Sequence, residues 1–396
     1  MKILFVTNVN PFTASFGAEQ RSYVFLKSFL QNGCNVDVAY VGLAKENKSK
    51  CPSGVNIVLW NDGHHWQFSK LKYYMRVFTV RMYPSSDELE TIIDRLVNNN
   101  HYDYIACRYL PTAAFAGLFK YANRLLLDID DMPEPAMAAQ MVSCKWYHEI
   151  YHKLMLRSVR HETYRWINKV KACFLPNKSM ADKNHCIFLP NIPVFHSDDV
   201  IIDKTCKNIL FIGLMNFRPN YEGINHFITH CWCQIIKAVP AASLYIAGKG
   251  LSDELRQKWL SYPNVHLLGF VDSVPDFYSR GNIVIAPVYS GAGTNIKVIE
   301  ALAFGKATVI SPFSAKGYET ILINGQNTYI AKTDREYVDR LVSLLRSSEL
   351  TENIAKAGHI QAVKFYSQDS INRIIKKIIK NNIRDAKNRF CEPSCK

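Results

Sequence analysis

The residues with the most chemical content fall in one run, IVIAPVYSGAGTNIKVIEALAFGKATVISP, spanning 283–312. The run reads as strand, glycine-rich turn, helix, glycine stop and strand. Gly291 and Gly293 permit close backbone approach and positive φ. Thr294 or Asn295 is placed to cap the helix that opens at Ile296. The N–H groups of that first turn form a ready site for phosphate or sugar hydroxyls. Lys297 adds a positive charge for a diphosphate. Glu300 lies three residues further on, on the same helical face, where a carboxylate can accept two hydrogen bonds from a ribose diol. Gly305 ends the helix. The bland alternative is an ordinary glycine-rich βα turn with a solvated Glu300. The pattern is not a nicotinamide fingerprint, because G-x-G-x-x-G is absent, and it is not a P-loop, because G-K-[ST] is missing.

A second candidate is LLLDIDDMPE, residues 125–134, an apolar strand that ends in carboxylates. Asp130 and Asp131 could bind an acceptor hydroxyl or take its proton; equally, they could cap the turn before Met132-Pro133. His64-His65-Trp66 sits in a polar loop and reads as solvated. Cys231-Trp-Cys233 and Cys391-x3-Cys395 lack a second ligand pair at zinc spacing, so no metal site is expected there. The 11 cysteines lie mostly in apolar segments without a repeating spacing. They read as reduced thiols and not as a disulfide framework.

Strands and helices alternate along the chain, and this pattern positions the candidates. Strands are expected at Lys2–Asn8, Asn35–Val41, Val55–Trp60, Tyr104–Arg108 and Arg124–Ile129, with helices at Gly17–Asn32, Asp87–Asn98 and Pro111–Tyr121. A break at 190–206, with Pro190, Pro193 and a polar run, reads as a linker. The alternation restarts with strands at Lys207–Gly213, Ala242–Gly248, Val265–Leu268, Ile283–Pro287 and Ala307–Ile310. Helices are expected between them, at Asn220–Val239, Asp253–Tyr262, Val274–Arg280, Ile296–Phe304 and Arg335–Ser347. Such alternation implies an α/β fold with parallel sheets covered on both faces. Ligands in such sheets bind beyond the C-terminal ends of the strands. With 396 residues, two domains are expected: 1–190, and 207–364 after the linker at 191–206. A last helix at 365–390 is expected to cross back to the first domain.

Composition narrows the class. The chain is 48% hydrophobic and 21% charged, which excludes wholesale disorder. MKILFVTNV is too short an apolar run for a signal peptide, and no segment approaches the ~20 apolar residues of a membrane span. A cytoplasmic location is expected. The net charge of +14 calls for an acidic partner. It concentrates in 145–172, where Trp146, Tyr147, Tyr151, Tyr164 and Trp166 interleave with Lys and Arg, and again in 364–389. The first stretch is either a solvated helix face with buried aromatics or a surface for an anionic membrane. No RNA-binding signature accompanies it.

The run 283–312 also resembles the donor motif of the family-4 glycosyltransferases, retaining enzymes with the GT-B fold. FIGLMNFRPNYEGINHF (211–227) resembles the entry to the second domain in one bacterial branch, and VHLLGFVDSVPDFYSRGNIVIAP (265–287) is similar to the base-binding turn and its approach strand. GAEQR (17–21) resembles the glycine-rich loop after the first strand. The resemblance implies two Rossmann-like domains facing across a central cleft. It implies that Glu300 holds the donor ribose and the backbone around Val271 reads the base. Gly213, Gly291, Gly293, Thr294, Asn295 and Ile296 would meet phosphate and sugar, and Gly17 and Ala18 would approach the diphosphate. The implied partners are a nucleotide-sugar donor and a glycan or lipid-linked acceptor, without nucleic acid, cofactor or metal. Two departures stand out. Ala292 occupies the place of the first Glu of the usual E-x7-E, so the motif does not specify the sugar. Leu214 and Asn220 replace frequent cations, leaving Lys297 and Arg218 to stabilise the leaving diphosphate. A non-catalytic nucleotide-sugar binder and a nucleotide-sugar epimerase are the competing expectations.

Overall fold

A computed structural model of the chain describes residues 1–14, 17–42, 51–61, 63–66, 83–130, 132–134, 146–291 and 294–380, of which 146–152 by backbone only. It divides into two compact units. The first is Met1–Pro190 joined by the chain from Gln368 on; the second is Asn191–Ser367.

In the first unit the described elements are β1 (Lys2–Thr7), α1 (Gly17–Gln31), β2 (Asn35–Tyr40), β3 (Val55–Trp60), α2 (Asp87–Asn99), β4 (Tyr104–Arg108), α3 (Leu110–Phe115), a 3₁₀ turn (Leu118–Arg124), β5 (Leu125–Asp128), α4 (Trp146–Ile167), β6 (Ala172–Leu175), α5 (Lys178–Lys183) and β7 (Ile187–Phe188). The strands form a parallel sheet in the order β3-β2-β1-β4-β5-β6-β7. Ile3, Leu4, Phe5 and Val6 of the central β1 are fully buried, as a strand covered by helices on both faces must be. The helices follow local signals. Ser86 caps α2 by accepting from the Leu89 N–H, acidic residues fill its first turn, and Leu89, Ile93 and Val97 at four-residue spacing form its buried stripe.

The second unit contains β8 (Asn208–Ile212), α6 (Arg218–Phe227), a π-helical turn (Ile228–Trp232), α7 (Cys233–Ala238), β9 (Ser243–Ala247), α8 (Asp253–Leu260), β10 (Val265–Gly269), α9 (Val274–Ser279), β11 (Ile283–Ala286), α10 (Ile296–Ala303), β12 (Ala307–Ile310), β13 (Tyr329–Ile330), α11 (Asp334–Arg346) and α12 (Ser348–Phe365). Its parallel sheet runs β10-β9-β8-β11-β12-β13. The chain lays β8, β9 and β10 outward in one direction, then returns to place β11 on the other side of β8. That reversal makes the C-terminal ends of β8 and β11 a topological switch point, where open α/β sheets form crevices. The expected single helix over 220–239 is in fact α6, the π turn and α7. It opens earlier, at Arg218, because Pro219 sits in the first turn, where its missing N–H costs nothing.

The stretch 191–206 carries no regular element and lies along the second unit. Ser197 donates its N–H to Ala303 O at 3.1 Å, and Asn282 donates to Asp203 O at 2.6 Å. The last described helix, α13 (Gln368–Lys380), belongs to the first unit. Its Ile371, Ile375, Ile378 and Ile379 are buried, and Asn372 donates to Gln31 of α1 at 2.8 Å. The described cysteines are free thiols, and no described helix is long and apolar enough to cross a membrane.

Candidate active site

The second unit brings Lys297, Asn220, Gly213 and Glu300 together at its switch point. Lys297 comes from the first turn of α10, Asn220 from the first turn of α6, and Gly213 from the end of β8. Lys297 is buried, its Nζ donates to Asn220 Oδ1 at 2.6 Å, and it lies 4.6 Å from the centre of the Phe211 ring. Asn220 in turn donates to Leu214 O at 2.9 Å. A Cβ on Gly213 would stand 2.8 Å from both Lys297 Nζ and Asn220 Nδ2. A side chain at 213 would therefore displace the tips of Lys297 and Asn220 from the strand end. Burial pulls the Lys297 ammonium down to about 7, against the smaller opposing pull of Glu300. Asn220, which replaces a cation of the resembled motif, is the hydrogen-bond seat of the remaining one.

Glu300, one turn further along α10, is buried. Tyr278 of α9 donates its hydroxyl to Glu300 Oε2 at 3.0 Å. Burial, then the neighbouring carboxylate, push the Tyr278 phenol well above its ordinary value, so the hydroxyl stays a donor. Its ring stacks on Phe304 at 4.5 Å. Glu300 is therefore not the solvated residue of the bland reading. Its carboxylate is held in one orientation by a side chain 22 positions away.

Gly291 has φ 123°, and a Cβ there would meet Pro219 Cγ at 3.3 Å, so the turn after β11 lies against the start of α6. Gly293 and Ala292 lie outside the described residues. The capping expectation needs correction. Asn295 is the N-cap of α10 but makes no side-chain cap hydrogen bond. Thr294 is used elsewhere, accepting from Asn191 Nδ2 at 3.1 Å. Gly305 closes the helix with φ 63°. Val271 packs with the cluster around Leu210, Ala247 and Tyr278, just after β10. Arg218 does not join Lys297. Its side chain is 77% exposed and pairs with Glu222 one turn on, at 2.7 Å.

In the first unit Gly17 and Ala18 open α1. A Cβ on Gly17 would meet nothing within 4 Å, so no close contact among the described residues demands a glycine there. Asp131 lies outside the described residues. Asp130 adopts φ 67° and is built into a charged network that sequence reasoning missed. Asp128, fully buried at the end of β5, accepts from Arg21 Nη2 at 2.6 Å and Nε at 2.8 Å and pairs with Arg108. Burial alone would raise the Asp128 carboxyl, but Arg21 and Arg108 hold it below the ordinary carboxylate range. Asp130 Oδ2 accepts from Arg108 at 3.1 Å and from the Tyr109 hydroxyl at 3.3 Å. The carboxylate read as a candidate base is thus already engaged by two donors. GAEQR carried the missed signal: its Arg21 is the partner of Asp128.

Two described aromatics of the basic stretch are structural. Trp166 of α4 stacks on Phe119 at 3.9 Å, and Tyr164 donates to Asn184 at 2.7 Å. Arg157, Arg160, His161 and Arg165 line an open depression of about 530 Å³ with Tyr164 and Asn168.

Residues 206–347 match the model of the family described as Glycosyl transferases group 1. A curated relative, an uncharacterized 44.6 kDa protein in the cps region of Klebsiella pneumoniae, is 23% identical over 271 residues, 65% of this chain and 69% of its own length. Among solved structures, a variant of S. aureus TarM in complex with fondaparinux, alpha-GlcNAc-glycerol and UDP is similar with a TM-score of 0.68 at 10% identity, over 96% of this chain and 100% of that one. WaaG, a glycosyltransferase involved in lipopolysaccharide biosynthesis, gives a TM-score of 0.63 at 12% identity, over 95% and 99%. The fold is GT-B, built on two Rossmann-like units. Its second unit carries a group 1 glycosyl transferase domain, and the chain is a glycosyltransferase enzyme.

Proposed function

We propose that the chain transfers a sugar, with retention of anomeric configuration, from a nucleotide diphosphate sugar to a hydroxyl of a glycan or lipid-linked acceptor in bacterial polysaccharide synthesis. UDP is the nucleotide favoured, on the analogy of the UDP bound by the TarM variant. The acceptor class rests on the cps region of the Klebsiella relative. The observation that carries the reading is the buried Lys297 at the switch point, seated on Asn220 and close against Gly213 at the strand end.

In this reading Lys297 meets the diphosphate and stabilises the charge that grows on it as the glycosidic bond to the sugar breaks. The N–H groups at the start of α10 add to that field. Glu300, oriented by Tyr278, accepts from the ribose diol, and the turn at Val271 meets the base. No metal or organic cofactor is assigned a step, because the cation is supplied by Lys297. Asp130 binds an acceptor hydroxyl through its place in the arginine network, and Arg218 meets the donor only if its pair with Glu222 opens. The basic face of α4 docks the enzyme on the anionic inner surface of the cytoplasmic membrane, where a lipid-linked acceptor would lie.

Calorimetric titration with UDP tests the donor site. Glu300→Ala should weaken binding about 10–100-fold, the worth of hydrogen bonds to a charged acceptor. Lys297→Ala should weaken it similarly and abolish transfer. Unchanged UDP affinity in Glu300→Ala would sink the assignment. Tight UDP binding by the wild type, with no turnover of any donor, would instead favour a non-catalytic binder.

A further inference from the structure

At the end of α6 opposite Asn220, the second unit places His226, His230 and Asp334 so that one ligand atom from each lies within 4.8 Å of the others. We infer that these three side chains form a zinc site, separate from the donor site and independent of how that site is read. His226 and His230 are four residues apart at the junction of α6 and the π turn, so both project from one face. Their rings lie parallel at 4.2 Å. Asp334 opens α11, 108 positions away, and its Oδ1 stands 2.8 Å from His226 Nε2.

The hydrogen bonds around His230 prepare it as a ligand. Its Nδ1 lies 3.0 Å from His226 O. The Thr229 hydroxyl also lies 2.8 Å from Nδ1 and donates to Asn225 O; in the tautomer whose Nδ1–H faces the His226 carbonyl, Nε2 keeps its lone pair for a ligand bond. Backbone carbonyls orient metal-bound imidazoles in the same way. His226 Nε2 donates to the Asp334 carboxylate; on metal binding this proton leaves to solvent and the ion takes its place between the two groups. Ligand bonds of about 2.1 Å place neighbouring ligand atoms roughly 3–3.4 Å apart. The observed spacing needs only side-chain rotation to reach that range.

Two further observations favour an ion over a simple surface pair. A π-helical turn occupies Ile228–Trp232, and such turns concentrate at functional sites. Tyr289, on the segment leading from β11 to Gly291, meets the His226 ring edge-on at 5.6 Å. An ion here would tie α11 to the helix whose opposite end seats Lys297, and would brace the base of the donor turn. Two imidazoles and one carboxylate select a borderline cation such as zinc over magnesium or calcium. Three protein ligands leave a position for water.

Cobalt(II) is the probe for the full-length protein, with zinc as competitor. One equivalent of cobalt should develop visible d–d absorption without the near-ultraviolet band of a thiolate ligand, and zinc should erase it. Zinc should raise the melting temperature of the wild type; His230→Ala, at an exposed position, should lower the affinity at least about tenfold and remove that rise. Asp334→Asn should weaken binding to a smaller extent. A thiolate band, a cobalt spectrum unchanged in His230→Ala, or no stoichiometric uptake would each overturn the assignment.

Discussion

Lys297 concentrates the chemistry of the second unit at a single residue. With its ammonium pulled down to about 7, the free protein holds this lysine neutral above that pH, while the unfolded chain keeps it charged up to the ordinary lysine value. The unfolded state therefore binds the extra proton in that window, and stability rises with pH from about 7 toward the ordinary lysine range. Nucleotide binding has the opposite dependence. A diphosphate favours the charged form, so binding above neutrality takes up a proton. Between pH 7.5 and 9.5, the dissociation constant for UDP should rise by up to about tenfold per pH unit. Calorimetry in buffers of different ionisation heat would register the uptake, which should vanish in Lys297→Met. A pH-independent affinity in the wild type would show that the lysine does not meet the phosphates.

At the scale of elements, α6 is the part that sets the site. Its first turn supplies Asn220, and its Gly223 lies against the end of β11. A Cβ on Gly223 would sit 1.9 Å from Pro287 O. Two effects compete in Gly223→Ala. Helix propensity gains about 1 kcal/mol, whereas overlap with a backbone carbonyl costs typically about 1–3 kcal/mol and forces movement. Because the obstacle is backbone and not a flexible side-chain tip, the second effect wins. The variant should be less stable to urea and should bind UDP more weakly, as α6 moves Asn220 away from Lys297. Equal or greater stability would mean that the helix packs further from the strand. The buried serines beyond β12 support the same corner: Ser314 donates to Ala286 O at 2.7 Å, at the end of β11.

Over the whole molecule, charge and connectivity matter most. The second unit is inserted within the first, since α13 returns to pack on α1 after residue 367. Four isoleucines on one face of α13 carry that return, each contributing on the order of 1.5–3 kcal/mol by burial. The net charge of +14 gives the proposed membrane docking a measurable signature. Vesicles containing phosphatidylserine should bind the protein in co-sedimentation, vesicles of neutral lipid should not, and binding should fall steeply between about 0.05 and 0.5 M salt as the Debye length shrinks. Arg157→Glu combined with Arg165→Glu should remove most of it without loss of fold, because both line an open depression. Binding indifferent to salt or to these changes would rule the face out.

The sequence by itself determined the alternation of strands and helices, and with it the parallel α/β class. Hydrophobic runs, caps and glycine stops are local features, and buried parallel strands must be continuously apolar. It also singled out Lys297 and Glu300, because strand, glycine turn and helix are contiguous. The tertiary structure decided what these residues touch. Asn220 seats Lys297 from 77 positions away, and Tyr278 orients Glu300 from 22. Arg21 and Arg108 meet Asp128 across 107 and 20 positions. Arg218 was assigned by its charge and its place near a motif, yet it points outward to Glu222, since pattern reports residue type but not side-chain direction. His226 and His230 are visible as a four-residue spacing, but only folding brings Asp334 to them. Local pattern fixes elements because hydrogen bonding and burial within them are short-range. Partnerships between side chains depend on sheet order, which a periodicity does not contain.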